Sequence, residues 1–541
     1  MNHIVAALIS ILVLGPFAQA QLQERVDLSS ADVPGNQACV SAQVTNDGRF
    51  VAFASLADNL FAGDTISTSD VFVRDRRVGT TVRLVPPSPS TIESFGPVIT
   101  GDGRFVAFTA LDAFGGAPIR RAIIHDRQTN TTTAVTRGAF DAIVGAISSD
   151  GRFVALSGRP TAALGGVLQI YVLDRQTNTL TLASRTPAGL AANGASSDPR
   201  VSDDGQNVVF ASAATDLVAL DTNGKLDVFA FDVATATVTR ESVGPHGEQG
   251  NGDSRVPALS ADGNVIAFQS VATNLVPDHA GAFEDVFVRD LSLQLSMVVS
   301  VATGNHLGNA PSSNPRISAD GRKIAFQSLA TNLVPNDNLA HGDVFVRDQD
   351  SEITRRVSVG AQPADADVLS SSLSANGRFI GMVSAATNLL AGPAATTTGG
   401  YLADLGPGCS AANFCTALPN STGNPASILS SGDASFALDN FTLACLYLPA
   451  TTVGLFFSGT SAVDPGVPFG NGLLCVGGTI VRHGTVQVTD GVAIDGQSLT
   501  SSEYTGVRPG DKRYYQFWYR NVAAGGVGSN TSDALAVTFC Y

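Results

Sequence analysis

Charged side chains are scarce in this sequence, and it has neither long apolar stretches nor basic clusters. Asp, Glu, Lys and Arg make up 15% of the 541 residues, and the formal net charge is −15. An acidic chain without a basic run repels phosphate backbones and anionic lipid surfaces, so nucleic acid is not an expected partner. No apolar run reaches the roughly 18 to 20 residues that a spanning helix requires, so no membrane span is expected.

Signature motifs of common enzymes are missing as well. The sequence contains no Gly-x-Ser-x-Gly elbow, no His-Glu-x-x-His pair and no phosphate-binding glycine-rich loop. The missing elbow excludes the hydrolase domain that accompanies repeat domains in some peptidases. A protein without a catalytic constellation is the favoured interpretation.

The N-terminus has the pattern of an export signal. An apolar stretch from Ile4 to Leu14 precedes Gly15 and Pro16, and the segment 18–20 (Ala-Gln-Ala) is a small-residue cleavage site. We therefore interpret residues 1–20 as a signal peptide. The mature chain would begin near Gln21 and would be secreted or periplasmic.

A repeat of about 55 residues occupies most of the chain. Each copy has an Asp-Gly or Asn-Gly turn, which tolerates the positive φ angles of a two-residue hairpin, and a short apolar strand follows the turn. A further strand ends in Asp, and a fourth strand closes most units. The turns begin at Asp47, Asp102, Asp150, Asp204, Asp262, Asp320 and Asn376.

Four short strands per repeat predict one antiparallel sheet, and such sheets bury their apolar faces by stacking around a ring. The last repeat stops after its third strand, at 401–404, while the segment 24–29 resembles the fourth strand at 355–358. We expect strand 24–29 to complete the last sheet. The sequence thus predicts an all-β fold with a seven-bladed β-propeller over residues 21–405.

The repeat resembles a known family. The segment 318–328 (Ser-Ala-Asp-Gly-Arg-Lys-Ile-Ala-Phe-Gln-Ser) with 343–348 (Asp-Val-Phe-Val-Arg-Asp) is similar to the WD-like repeat of TolB-type propellers. This resemblance covers about 380 residues. It implies protein binding, as in some members of the family, or a scaffold beside a catalytic domain, as in others.

A different region begins at Cys409, where the repeat ends. Residues 406–408 (Gly-Pro-Gly) are interpreted as a linker, and residues 409–541 as a small β-sandwich domain. The segments 474–478 (Leu-Cys-Val-Gly-Gly) and 517–520 (Phe-Trp-Tyr-Arg) resemble an uncharacterised C-terminal domain of secreted bacterial proteins. That resemblance implies no activity.

Export would place the cysteines where disulfides form. The candidate pairs are Cys409 with Cys415, and Cys475 with Cys540. Cys39 and Cys445 would then form a cross-domain pair or remain as two buried free thiols, and free thiols are the favoured interpretation.

Four histidines fall in loops that a propeller places on one face. His246 and His306 lie in loops between blades, and His279 and His341 lie in loops between the second and third strands. Converging imidazoles could bind a transition metal. The favoured alternative is that they are ordinary loop residues, because their spacing is not that of a ligand set.

The same loops carry short oxygen side chains around a glycine. Asp221, Asn223 and Asp227 resemble part of a calcium loop, and calcium is the ion that such oxygens would take. The favoured alternative is that these residues shape the turn. The Asp that ends each third strand and the Arg after most turns recur too often for catalysis, so hydrogen bonds and blade-edge ion pairs are expected there.

Together these features predict a non-catalytic, monomeric binding protein that holds a protein or a cell-envelope polysaccharide on the loop face of the propeller. The alternatives are a metal-dependent polysaccharide lyase or hydrolase that uses the histidine loops, and a structural surface protein. No cofactor follows from the sequence other than the calcium considered above.

Overall fold

The computed structural model describes residues 22–64, 68–114, 117–135, 140–160, 166–277, 279, 281, 283–335, 337, 341–359, 363–390, 397–405, 410–431, 442–450, 452–495, 511–521 and 528–538. The predicted signal peptide and the predicted linker lie outside these residues. The described chain consists of strands and turns with no helix, which confirms the all-β prediction. It accordingly has no helix long and apolar enough to cross a membrane. It divides into two compact units, one over Gln23–Asp404 and one that contains Leu405–Tyr541.

The first unit is built from seven four-stranded antiparallel sheets, which we call blades 1 to 7. Blades 1 to 6 each use four consecutive strands, numbered from the inner to the outer strand. These are β2 (Cys39–Val44), β3 (Phe50–Ser55), β4 (Asp70–Asp75) and β5 (Thr80–Arg83) in blade 1; β6 (Thr91–Ile99), β7 (Phe105–Phe114), β8 (Ala117–Asp126) and β9 (Thr131–Ala134) in blade 2; β10 (Phe140–Ile147), β11 (Phe153–Pro160), β12 (Gln169–Asp174) and β13 (Thr179–Leu182) in blade 3; β14 (Ser196–Val201), β15 (Asn207–Ser212), β16 (Asp227–Asp232) and β17 (Thr237–Arg240) in blade 4; β18 (Ser254–Leu259), β19 (Val265–Ser270), β20 (Asp285–Asp290) and β21 (Leu295–Val298) in blade 5; and β22 (Ser312–Ile317), β23 (Lys323–Ser328), β24 (Asp343–Asp348) and β25 (Ile353–Arg356) in blade 6.

Blade 7 takes its outer strand from the start of the chain. Its order is β1-β28-β27-β26, with β26 at Val368–Leu373, β27 at Phe379–Ser384, β28 at Gly399–Asp404 and β1 at Leu22–Arg25. The N–H of Val26 donates to the carbonyl oxygen of Gly400 at 2.8 Å. Each inner strand contacts the next, and β26 contacts β2, so the sheets close into a ring. This arrangement is a β-propeller.

The Asp-Gly turns join consecutive blades as well as consecutive strands. Gly103 has a φ of +75°, and a Cβ there would lie 2.7 Å from the Phe50 ring of the preceding blade. Gly151 lies against Phe105 in the same way. Only glycine meets both demands, because any other residue would be strained in φ and would clash with the ring.

The recurring Asp and Arg residues hold the edges of the blades. Arg49 Nη2 lies 2.7 Å from Asp75 Oδ2, and its guanidinium lies over the Phe50 ring. Asp75 Oδ1 also accepts the N–H of Arg77 in the following turn at 3.0 Å. These contacts confirm the predicted blade-edge roles. Arg322 differs, because it pairs with Asp350 rather than with the Asp that ends its strand.

The second unit contains a five-stranded sheet in the order β29-β38-β37-β32-β35, a three-stranded sheet in the order β30-β31-β36, and a two-stranded sheet of β33 and β34. Its core includes Phe456, Tyr515 and Phe517, all buried. The strands are β29 (Ser410–Phe414), β30 (Ser427–Ser431), β31 (Thr442–Leu446), β32 (Val453–Gly459), β33 (Ser461–Phe469), β34 (Gly472–Gly477), β35 (Val481–Gln487), β36 (Ala493–Asp495), β37 (Lys512–Arg520) and β38 (Ser529–Thr538).

The predicted disulfide pairs are wrong. Cys415 is bonded to Cys475, so neither can pair with Cys409 or Cys540, which lie outside the described residues. Cys415 directly follows β29 and Cys475 lies in β34, and both strands pack on β38, which brings the two sulfurs together although 60 positions separate them. Cys39 and Cys445 are free and buried, which confirms that prediction.

Candidate functional site

The four candidate histidines do not form a cluster. His246 and His306 are exposed in different joining loops, and His341 Nδ1 lies 3.5 Å from an oxygen of the exposed Asp367. His279 is buried in blade 5. The described residues contain no group of three or more His, Cys, Asp or Glu side chains that could hold a metal ion. The metal-dependent lyase or hydrolase therefore has no assembled site among them.

Asp221, Asn223 and Asp227 do lie together, but an arginine occupies the space between the carboxylates. Arg240 Nη2 is 2.8 Å from Asp221 Oδ1, and Arg240 Nε is 3.4 Å from Asp227 Oδ2. Asn223 Nδ2 donates to the same oxygen, Asp227 Oδ2, at 2.9 Å. The guanidinium supplies the positive charge that a cation would bring. Calcium remains a prediction, and these contacts match the alternative in which the side chains hold the loop.

Other blades repeat this ion-pair group, with one aspartate before the third strand, one at its start and an arginine at the end of the outer strand. In blade 6, Arg356 Nη1 lies 2.9 Å from Asp337 and 3.5 Å from Asp343. Burial, together with the charge of Asp337, raises the pKa of Asp343 to about 6, although Ser358 and Arg356 act in the opposite direction.

A cleft opens at the junction of blades 4 and 5. Its volume is about 1200 Å³, and it follows the outer strand β17 from the start of β15 at Asn207 to the loop at Asn251. Thr237, Thr239, Asn223, Gln249 and Gln294 provide hydroxyl and amide groups, and Val218, Leu220, Val238, Val243 and Leu291 provide apolar surface. Its charged residues are Asp232, Arg240, Glu241, Glu248 and Arg289.

Glu241 is the unusual residue of this cleft. It directly follows an outer strand, and its N–H donates to the carbonyl oxygen of Val228 at 2.8 Å, a contact that every blade repeats. Glu241 is only 6% exposed, and burial raises its pKa. In the other blades this position is apolar, as Val26, Leu84, Val135, Ala183, Val299 and Val357.

Two neighbours face the Glu241 carboxylate. Thr239 Oγ1 donates to Glu241 Oε1 at 2.7 Å, while Arg289 Nε lies 3.6 Å from Glu241 Oε2. The Arg289 side chain is 5% exposed, and its Nη1 and Nη2 donate to the backbone and side-chain oxygens of Gln294. The buried pair is therefore only loosely joined, because 3.6 Å exceeds a normal hydrogen bond.

Corresponding junctions are closed by the joining loop, the segment between one outer strand and the next inner strand. In joining loop 5–6 (299–311), Thr303 Oγ1 accepts the N–H of Thr354 at 3.1 Å. Asn305 Oδ1 accepts Arg347 Nη2 at 2.7 Å. These two contacts fasten the loop to blade 6. Arg347 occupies the same strand position as Arg289.

Joining loop 7–1 (26–38) is fastened in the same way. Ser30 Oγ accepts the N–H of Thr81 at 2.9 Å, and Asp32 pairs with Arg74. The three loops have matching geometry, since an isolated bridge spans each at Leu28–Pro34, Val243–Gln249 and Val301–Leu307.

Joining loop 4–5 (241–253) has neither fastening group. Pro245 stands where the hydroxyl residue lies in the other two loops, and Gly247 stands where the loops carry Asp or Asn. Joining loop 3–4 (183–195) also has proline and glycine there, but the buried Phe231 replaces the arginine and fills that junction. Among these four junctions, only junction 4–5 combines a strand arginine with a loop that lacks both fastening groups and contacts the arginine only through Glu241 at 3.6 Å.

The sequence analysis did not predict this cleft. The signal was present, because alignment of the repeats places Glu241 in a column of apolar residues. The importance of Pro245 and Gly247 can be recognised only from the contacts that the corresponding residues make in the other junctions.

A second polar group that the sequence did not suggest lies in the C-terminal unit. His483 Nε2 is 3.1 Å from Ser458 Oγ, and His483 Nδ1 is 3.7 Å from Asp495 Oδ2. The order of groups resembles a hydrolytic triad. All three side chains are buried, and Tyr515 packs beside the imidazole, so we interpret the group as a polar link within the core.

Comparison with solved structures finds propellers. TolB from Acinetobacter baumannii is 16% identical with a TM-score of 0.35, over 57% of this chain and 63% of that one. An oligogalacturonate lyase from Vibrio parahaemolyticus is 14% identical with a TM-score of 0.44, over 72% and 98% of the two chains. The β-propeller domain of the Trilobed protease from Pyrococcus furiosus is 11% identical with a TM-score of 0.45, over 69% and 95%.

This chain thus spans less than two thirds of the TolB structure to which it is similar. No family model and no curated protein sequence matches the chain. The propeller architecture itself follows from the strand pairing described above.

Proposed function

We propose that this chain is an exported, non-catalytic binding protein, secreted or periplasmic, whose partner is a protein or a cell-envelope glycan. The partner occupies the cleft between blades 4 and 5. The C-terminal domain, which we interpret as a β-sandwich, attaches or presents the propeller. The N-terminal export pattern and the disulfide of the C-terminal unit support the location.

One observation carries this proposal: a carboxylate is buried in the wall of an open cleft at a position that is otherwise apolar. A buried charge is costly unless it is well paired, and Arg289 pairs with Glu241 only at 3.6 Å. Such a group is unfavourable for folding alone. A bound partner that donates to Glu241 and accepts from Arg289 would offset that cost.

The cleft can be closed with residues that the chain already uses. Pro245→Thr with Gly247→Asn copies Thr303 and Asn305 from joining loop 5–6. The left-handed backbone accepts the change, because Asn305 has a φ of 65° where Gly247 has 81°. The matched control is Pro187→Thr with Gly189→Asn in joining loop 3–4, where Phe231 offers the loop nothing to bind.

The test is capture from a native envelope extract, together with a glycan array, using the full mature chain. The wild type and the control should recover the same partner, and the closed variant should recover about tenfold less. Equal recovery by the closed variant, or no partner above background for the wild type, would refute the proposal.

A further inference from the structure

The inner strands of the seven blades surround the axis of the propeller, and each contributes one residue at the same level. That residue pairs with the third residue of the neighbouring second strand. The seven positions are Gln43, Val98, Ala146, Arg200, Ala258, Arg316 and Ser372. Two of these residues are arginines and none is acidic.

A shared irregularity presents the two arginines. The register shifts immediately before Arg200 and before Arg316, and Asp198 and Asn314 have positive φ angles of 54° and 52°. A proline precedes each arginine. Bulges of this kind re-aim the side chain that follows them. Blade 5 has the same bulge, with Val256 at a φ of 51° before Ala258, so the arginine side chains themselves distinguish blades 4 and 6.

Neither guanidinium has an ion-pair partner among the described residues. Arg200 Nη1 donates to the carbonyl oxygens of Gly145 at 3.0 Å and Pro199 at 2.9 Å. Arg316 Nη1 donates to its neighbouring carbonyl at 2.9 Å. Asp198, the nearby acid, accepts a hydrogen bond from Ser197 instead.

The two positive charges also affect each other. Burial, with a contribution from the charge of Arg200, lowers the pKa of Arg316 to about 10. Burial lowers the pKa of Arg200 as well. Like charges held in partly buried positions without a direct ion pair are unfavourable, and the charge of Asp198 offsets only part of the effect on their pKa values.

We propose that the axial channel contains an oxyanion site in which Arg200 and Arg316 bind a phosphate, sulfate or carboxylate group. A guanidinium presents parallel N–H donors that match two oxygens of such a group, and two guanidiniums on one anion remove their mutual repulsion. The site is independent of the cleft between blades 4 and 5. It gives the propeller a second ligand class, an anionic small molecule or an anionic group of a larger ligand.

The probes are inorganic phosphate, sulfate and acetate, each titrated into the full mature chain at constant ionic strength with chloride as the reference. Thermal unfolding and titration calorimetry are the measurements. Because a ligand that binds only the folded state stabilises it, the effective anion should raise Tm with its concentration. A response to phosphate or sulfate identifies a tetrahedral anion, and a response to acetate alone identifies a carboxylate.

Two variants locate the site. Arg200→Gln with Arg316→Gln should weaken binding by about tenfold or more. Arg255→Gln is the matched control, because Arg255 also lies on an inner strand but is paired with Glu284 at 2.8 Å. If the double variant misfolds, Arg200→Gln and Arg316→Gln are tested singly. No response to any of the three anions, or an equal response in the arginine variants, would overturn the proposal.

Discussion

His279 Nε2 lies 3.1 Å from Asp285 Oδ2, where other blades pair this aspartate with an arginine. In blade 4 the corresponding partner of Asp227 is Arg240, on the outer strand. Blade 5 has Val298 at that outer-strand position, and its histidine occupies the place of Asp221. Both blades thus supply a nitrogen partner for a buried carboxylate, blade 4 from the outer strand and blade 5 from the loop before the third strand.

Because a histidine replaces the arginine in blade 5, the effects of substitutions at His279 and Val298 on the free energy of unfolding should be coupled. His279→Asp alone places a second buried carboxylate beside Asp285 without an arginine to balance the two charges, and should lower the free energy of unfolding by about 3 kcal/mol. Adding Val298→Arg rebuilds the arrangement of blade 4 and should recover at least half of the loss. Chemical denaturation of the wild type, both single variants and the double variant measures the coupling. Strictly additive effects would contradict it.

The Asp343 carboxylate predicts a pH dependence of stability. Burial raises its pKa to about 6, above its unfolded value, so the ionised form is disfavoured by folding. The free-energy cost of burying the ionised Asp343 carboxylate is present at pH 7.5 and disappears as the pH falls through about 6 toward 4. This group therefore makes the protein more stable at pH 5 than at pH 7.5. The whole shift corresponds to about 3 kcal/mol, of which roughly 1.4 kcal/mol falls between pH 7.5 and pH 5.

Asp343→Asn should therefore reduce the difference in unfolding free energy between pH 5 and pH 7.5. Asp350→Asn is the control, since Asp350 is exposed in its pair with Arg322. Denaturant titrations at the two pH values measure both differences. A variant whose pH dependence equals that of the wild type would show that Asp343 is not the group responsible.

Local sequence patterns predict most of the fold but little of the candidate site. Each Asp-Gly turn and each third-strand Asp acts within its own blade or on its neighbour, so the sequence is sufficient to predict them. The cleft is open because Pro245 and Gly247 cannot make the contacts with the next blade that Thr303 and Asn305 make in joining loop 5–6. The arginines at the axis are brought to one level by strands more than a hundred residues apart in sequence, which no local pattern reveals.

The disulfide shows the same limit, and its pairing can be tested directly. Proteolytic mapping without reduction should recover a peptide that links Cys415 to Cys475, and none that links Cys409 to Cys415. Cys415→Ala with Cys475→Ala should lower the stability of the C-terminal unit by about 2 to 4 kcal/mol, because the bond closes a long loop. Cys39→Ala is the control, since this thiol is free and its removal leaves the response to a reducing agent unchanged. Recovery of a Cys409–Cys415 peptide would refute the pairing.

Closure of the ring by the first strand makes the N-terminal segment a stability element. Val26 follows β1, is 0% exposed and packs with Phe379 and Val383 of blade 7 and with Val44 of blade 1. Val26→Asp places an unpaired charge in this apolar cluster and removes the packing that joins the two blades. The substitution should lower the free energy of unfolding by about 3 to 5 kcal/mol. Val33→Asp is the control, because Val33 is 49% exposed in the following loop. Thermal unfolding monitored by circular dichroism compares the two, and an equal Tm for both variants would mean that β1 does not hold the ring closed.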